Sequence, residues 1–97
     1  MEISTLNVDV RNNIRNYTIF KFENKDELKK AVDLWCNDKE EALKYYGHIS
    51  TWNTSLITDM SGLFKKKENF NDNINNWDVS NVLNMSEMFD DAEKFNQ

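Results

Sequence analysis

Apolar residues return in the same order in the second half of this chain. Five positions recur at a spacing of 25 residues: Ile49/Ile74, Trp52/Trp77, Met60/Met85, Phe64/Phe89 and Phe70/Phe95. When 49–72 is aligned with 74–97, nine of the 24 pairs are identical. A repeat of this length cannot bury its own apolar face, but stacked repeats share a core. The pattern therefore predicts two stacked structural units, repeat 1 (49–73) and repeat 2 (74–97).

Each repeat changes its apolar period along its length. Trp77 and Val79 alternate with Asp78, which is typical of a short strand, whereas Met85, Met88 and Phe89 share one face of a helical turn. Asn84 and Glu87 have the spacing of a capping box for that turn. A strand followed by a helical turn every 20–29 residues is typical of leucine-rich repeats. We therefore predict an α+β fold, a short leucine-rich-repeat-like solenoid of two coils, with Met60, Met85 and Met88 in its core.

Two helices are predicted before the repeats, within 24–48. Asn24 with Glu27, and Asp38 with Glu41, have capping-box spacing, and Gly47 is suited to end the second helix. The apolar stripe of the first helix is Leu28, Ala31, Val32, Trp35 and Cys36, and that of the second is Ala42, Leu43 and Tyr46. We expect these helices to cover the otherwise open apolar side of repeat 1.

Residues 1–23 alternate weakly between apolar and polar positions and predict a small β-hairpin or strand pair. Together with the helical cap and the two repeats, they make one predicted domain, 1–97, which agrees with the chain length.

Charge and composition narrow the function. The net charge of −5 disfavours a nucleic-acid phosphate binder. No apolar run reaches the ~20 residues of a membrane span, and 1–5 lacks the features of a secretory signal. The single cysteine permits no internal disulfide. These features predict an intracellular or virion-associated protein.

Candidate chemistry is sparse. His48 has no second histidine and no nearby cysteine as a catalytic or metal-binding partner, and Cys36 falls on an apolar stripe. The run 71–76 has acidic and amide side chains, but the EF-hand glycine and glutamate are replaced by Asn76 and Val82. We therefore predict no catalytic, metal-binding or cofactor-binding residues, no small-molecule substrate and no enzyme.

The outward-facing strand positions are the predicted protein-binding residues: Thr51, Asn53 and Ser55 in repeat 1, and Asn76, Asp78 and Ser80 in repeat 2. Phe95 is added because the pattern stops near it, with no sequence that would cover the last coil. An uncovered edge tends to recruit another chain. We therefore expect a protein partner or self-association at the C-terminal end.

Repeat 2 resembles the BspA-like leucine-rich-repeat surface proteins. The matching residues are Ile74, Trp77-Asp78-Val79-Ser80, Val82, Met85-Ser86, Met88-Phe89, Ala92 and Phe95-Asn96-Gln97. Repeat 1 departs from the pattern at Asn53 and Thr54 and at 65–67, which are three lysines. The resemblance implies a binding or surface-display role and carries no catalytic residues.

Two functions remain from the sequence. The leading prediction is a non-enzymatic protein-interaction or structural module that forms part of a larger assembly. The alternative is a small acidic inhibitor or decoy that binds a basic surface of a target protein, for which binding would depend steeply on salt.

Overall fold

Two helices precede the repeats in the computed structural model, which describes residues 19–96. Helix α1 spans Lys25–Asn37, helix α2 spans Lys39–Tyr46, and a short 3-10 turn follows at Ile49–Thr51. The predicted helices are therefore confirmed.

The helix ends follow the predicted capping chemistry. The Asn24 side chain accepts a hydrogen bond from the Glu27 N–H at 2.9 Å, and the Glu27 carboxylate accepts one from the Glu23 N–H at 2.8 Å. Asp38 caps α2 by accepting from the Glu41 N–H at 3.2 Å. Gly47 ends α2 with φ at 74°, a conformation that glycine adopts without steric strain.

The predicted α+β solenoid with a β-hairpin is wrong. Residues 19–96 contain no β-strand and no sheet, only isolated parallel bridges at Lys21–Asn53 and Asp59–Asn84. Most of the predicted N-terminal strand region, residues 1–18, lies outside the described residues. A two-periodic apolar pattern as short as Trp77–Val79 therefore did not establish a strand here.

Tight turns occupy the repeats instead. Asn53, Asp59, Asp78 and Asn84 each accept, through a side-chain oxygen, a hydrogen bond from the N–H of a serine two residues later, at 2.8–2.9 Å. This side-chain bond reverses the chain locally and competes with a strand ladder. Further turns close from Leu63 N–H to Met60 O and, in repeat 2, from Met88 N–H to Met85 O. The predicted Asn84–Glu87 capping box does not form, because Glu87 has a positive φ of 57° and its side chain contacts Lys65.

Repeat 2 lies on repeat 1 with equivalent residues in contact. Three ring pairs stack at the repeat spacing: Trp52/Trp77 at 6.2 Å, Phe64/Phe89 at 5.4 Å and Phe70/Phe95 at 5.6 Å between centroids. Four backbone N–H groups of repeat 1 donate to carbonyls of repeat 2: Met60 to Asn84, Gly62 to Ser86, Phe64 to Met88 and Lys66 to Asp90, at 2.8–2.9 Å. The repeat register is therefore read correctly from the sequence, although the backbone conformation is not.

The helices cover the opposite side of repeat 1. Trp35 of α1 packs edge-on against Trp52 at 6.0 Å, and its indole N–H donates to Asp72 at 2.8 Å. Lys25 bonds Ser61, and Lys67 pairs with Asp33 of α1. Leu28, Ala31, Val32, Trp35 and Ala42 are buried as predicted. Cys36 and Leu43 are exposed, so their assignment to the apolar stripes is wrong.

Candidate protein-interaction site

The six outward-facing polar residues occupy the turns that begin each repeat. Thr54, which is fully buried between them, donates its hydroxyl to the Asp78 carbonyl at 2.9 Å. The Asn81 side chain donates to the Ser55 carbonyl at 2.7 Å. Asn53, Ser55, Asp78 and Ser80 therefore sit at equivalent places in adjoining repeats, as do Thr51 and Asn76, which are exposed.

Several of these polar groups are already used within the chain. Asn53 and Asp78 close side-chain turns, and Thr51 donates to the His48 carbonyl at 2.7 Å. Hydrogen bonds from the Ser80 hydroxyl and N–H lower the pKa of Asp78 below its ordinary value. The binding role of these six residues stays a prediction.

Phe95 belongs to a different cluster. It is half-buried and stacks on Phe70 and, at 4.1 Å, on Phe89. It therefore forms part of the aromatic ladder between the repeats, and its predicted role in binding is also untested.

Burial differs sharply between equivalent residues of the two repeats. Met60 is 0% exposed, whereas Met85, its equivalent, is 45% exposed. Thr54 is 0% exposed and its equivalent Val79 is 42% exposed. Repeat 2 covers repeat 1, and no described residue covers repeat 2 in the same way. Met85 is therefore not the core residue that the sequence predicted, while Met60 and Met88 are buried.

The backbone shows the same asymmetry. The N–H groups of Met85, Glu87, Phe89 and Asp91 are equivalent to the four that repeat 1 donates to repeat 2, yet within 19–96 none of them has an acceptor. We call these four N–H groups, together with the side chains of Val79 and Met85, the open edge. Unpaired backbone donors beside exposed apolar side chains are the features that let an edge pair with another polypeptide.

Charge at the contact between the repeats is arranged in pairs. Lys65 and Glu87 approach to 2.6 Å, and their hydrogen bond raises the pKa of Lys65 and lowers that of Glu87. The residue of repeat 2 equivalent to Lys65 is Asp90, which lies between two of the open-edge residues along the chain. Lys65 therefore pairs with Glu87 across the repeats, and the neighbouring Lys66 contacts the Asp90 carbonyl through its backbone N–H.

A groove of about 390 Å³ lies between the end of α1 and the segment 66–72. Trp35, Cys36, Lys67 and Asp72 are among its lining residues, and partial burial of the sulfur of Cys36, a residue that is exposed as a whole, raises the pKa of its thiol. A raised pKa disfavours the reactive thiolate. His48 is not among the residues that line the groove; it bonds Ser50, and its ring packs against Trp35.

Among residues 19–96, no three His, Cys, Asp or Glu side chains come together in a way that could hold a metal ion. No helix in this part of the chain is long and apolar enough to cross a membrane.

An uncovered C-terminal end was predicted from the sequence, but Val79 and Met85 were not among the predicted binding residues, although one signal for Val79 was present. Thr54, buried and bonded, has the apolar Val79 as its equivalent. A position that is polar in repeat 1 and apolar in repeat 2 indicates that the two repeats pack against different neighbours. The difference between Thr54 and Val79 can be interpreted only when it is known which repeat is covered by another part of the chain.

Fold and site together define a pair of stacked, turn-rich repeats covered on one side by two helices. The profile of the family described as "Mycoplasma protein of unknown function, DUF285" matches residues 21–97. The chain belongs to this family. The family description names neither leucine-rich repeats nor BspA-like proteins, so that resemblance stays a prediction. No characterised protein and no solved structure matches the chain.

Proposed function

We propose that the protein is a non-enzymatic protein-interaction module that binds another polypeptide through the open edge. The observation that supports this most directly is the contrast between Met60 and Met85, which occupy the same phase but are 0% and 45% exposed. Repeat 2 covers this surface of repeat 1, but no described residue covers the equivalent surface of repeat 2. Burying such apolar area and pairing its N–H groups would stabilise a complex.

The proposed partner is a protein, with self-association as the special case in which the partner is a second copy. A small-molecule substrate and nucleic acid have no role in this proposal. The resemblance to BspA-like surface proteins implies a binding or surface-display role, which agrees with it. The edge itself is small compared with the ~800 Å² per partner of a standard interface. Neighbouring surfaces would therefore have to contribute to a stable complex.

The test compares two charge insertions. Met85→Glu places a carboxylate on the open edge, and Tyr45→Glu places one at a 63% exposed apolar residue of α2. Immobilised wild-type protein and both variants are used to capture proteins from an extract of the source cells, and bound proteins are quantified by mass spectrometry. We expect a specific set to be lost with Met85→Glu and retained with Tyr45→Glu, provided both variants keep the wild-type unfolding temperature within a few degrees.

Two results would contradict the proposal. Equal capture by wild type and Met85→Glu would remove the open edge from the interface. Capture that falls steeply as salt rises from 50 to about 500 mM, with no effect of Met85→Glu, would favour the acidic-decoy alternative, because exposed charge pairs are screened by salt.

A further inference from the structure

We infer that the occupant of the open edge is a polypeptide segment with the same repeat pattern as residues 74–97, carrying a basic residue at the phase of Glu87. This inference rests on the proposed function and names the chemistry of its partner. The chain itself contains the reference interface, because repeat 1 presents an equivalent surface and repeat 2 occupies it.

The backbone pattern of the edge requires a complementary strip of carbonyls. In repeat 1, the donors at 60, 62, 64 and 66 meet the carbonyls of 84, 86, 88 and 90. The equivalent donors at 85, 87, 89 and 91 are spaced identically along the chain, so the same carbonyl spacing in a partner would satisfy all four. Rings equivalent to Trp77 and Phe89 in that partner would stack on those of this chain, as Trp77 stacks on Trp52 at 6.2 Å.

Two open edges do not match each other. In a two-fold symmetric pair the same surface patch of both subunits meets. In repeat 1 the carbonyls of Thr58 and Glu68 accept from Leu83 and Lys94. The edge of repeat 2 therefore adds two equivalent carbonyls, those of Leu83 and Glu93, to its four donors. Four donors cannot all be paired by two carbonyls, so N–H groups of both edges would remain without a backbone acceptor. The carbonyl side of repeat 1 is not available in a second copy either, because Lys25 of α1 contacts Asp59 and Ser61 there. A second copy of the folded chain is therefore the wrong occupant.

Charge selects among possible repeat segments. Inside the chain, Lys65 of repeat 1 meets Glu87 of repeat 2. At the open edge the position of Lys65 is taken by Asp90, so a partner with glutamate at the phase of Glu87 would place two carboxylates together. A lysine or arginine at that phase would restore an attractive pair. Exposed pairs of this kind are modest in strength, so the charge adjusts the preference and the backbone and rings supply most of the affinity.

The experiment uses the full-length chain labelled with ¹⁵N and three unlabelled synthetic peptides. The first peptide has the sequence of residues 74–97, the second is the same peptide with E87K, and the third adds W77S and F89S to the second and so keeps its charge without the rings. Each is titrated into the chain while amide chemical shifts are recorded. A fourth titration uses the chain variant Asp90→Lys.

We expect the E87K peptide to bind, with the largest shifts at the amides of Met85, Glu87, Phe89 and Asp91. The unaltered peptide should bind roughly threefold to tenfold more weakly, which is the effect of exchanging an attractive for a repulsive exposed pair. Asp90→Lys should reverse that order of affinity. The peptide without the two rings should not bind measurably.

Each opposing outcome overturns the inference. These are shifts located away from the four amides, equal binding of the ring-deficient peptide, an order of affinity unaffected by Asp90→Lys, or no binding of any peptide. A concentration-dependent dimer that Met85→Glu abolishes would identify a second copy as the occupant. If no peptide binds, or if such a dimer forms, the proposed function still stands provided that extract proteins are captured through Met85. It fails separately if they are not.

Discussion

Replacement of the two equivalent methionines by alanine tests the asymmetry on which the open edge depends. Met60 and Met85 share the same phase of the repeat, and each supplies the carbonyl that closes the following turn. Both substitutions remove the same atoms and leave that backbone bond in place. The difference between the free energies of unfolding of the two variants therefore depends mainly on how deeply each methionine side chain is buried.

The expected magnitudes differ severalfold. Met60 is fully buried, so Met60→Ala loses the transfer free energy of its side chain and leaves a cavity, at a cost of about 2–5 kcal/mol. Met85 is 45% exposed, so Met85→Ala forfeits about half of a transfer term of ~1.5–3 kcal/mol and creates no enclosed cavity. Its cost should be about 0.8–1.5 kcal/mol. In a domain of this size 1 kcal/mol corresponds to ~4–8 °C in Tm.

Urea unfolding followed by tryptophan fluorescence measures both free energies, because Trp35, Trp52 and Trp77 are buried in the packed cluster. The m-value of each variant shows whether the transition remains comparable with that of the wild type. Equal destabilisation by the two substitutions would refute the reasoning, since it would mean that Met85 is covered in solution. A larger effect of Met85→Ala would refute it more strongly.

Five further substitutions test individual contacts and backbone conformations. Gly62→Ala should cost ~1–2 kcal/mol in thermal unfolding because its φ of 63° is unfavourable for alanine; no neighbouring atom would clash with the added Cβ, so no further cost is expected. Lys66→Gly removes the same backbone strain at a φ of 62° and should raise stability by up to about 1 kcal/mol. Thr54→Val should cost about 1 kcal/mol in urea unfolding by breaking its bond to repeat 2, whereas Val79→Thr at the equivalent exposed site should change stability by less than ~0.5 kcal/mol. Asp33→Asn should destabilise the protein at pH 7, with a deficit in Tm that shrinks as the pH falls below about 4; a deficit independent of pH would contradict this.

The sign of the Asp33 effect follows from its contacts. Burial alone would raise the pKa of Asp33, but hydrogen bonds from Lys29 and Lys67, each at 2.8 Å, lower it below the ordinary value of 3.8. A carboxyl whose pKa is lowered by folding stabilises the native state above its unfolded pKa. That contribution is lost as the pH falls through the folded pKa, because the neutral acid no longer attracts the two lysines.

The helices could be predicted because their capping signals are local in sequence. The repeat register could be predicted because one repeat aligns with the other by residue identity. Asn24 and Asp38 cap helices through atoms three residues away, and Gly47 ends one through its own backbone freedom. The register needed no knowledge of the fold, since Trp52 and Trp77 align by identity and then stack. Neither inference depended on knowing what packs against what.

The backbone conformation of the repeats could not be predicted with the same reliability. Alternation over Trp77–Val79 agrees equally well with a short strand and with an extended link between turns. The side-chain turns at Asn53, Asp59, Asp78 and Asn84 decide the matter, because each uses an Asn or Asp followed two residues later by serine. That spacing is a local signal and was available in the sequence. It was outweighed by the longer apolar pattern.

Covering is the property that sequence periodicity cannot supply. A repeat pattern assigns the same phase to Met60 and Met85 and therefore predicts the same environment for both, but the environment of a phase depends on the next layer. Repeat 1 has helices on one side and repeat 2 on the other, whereas repeat 2 has only repeat 1 among the described residues. The proposed binding surface therefore arises because equivalent residues occupy unequal positions in the stack. Some residues of repeat 1 are buried against repeat 2. By the same argument, their equivalents in repeat 2 are candidate contacts for the partner.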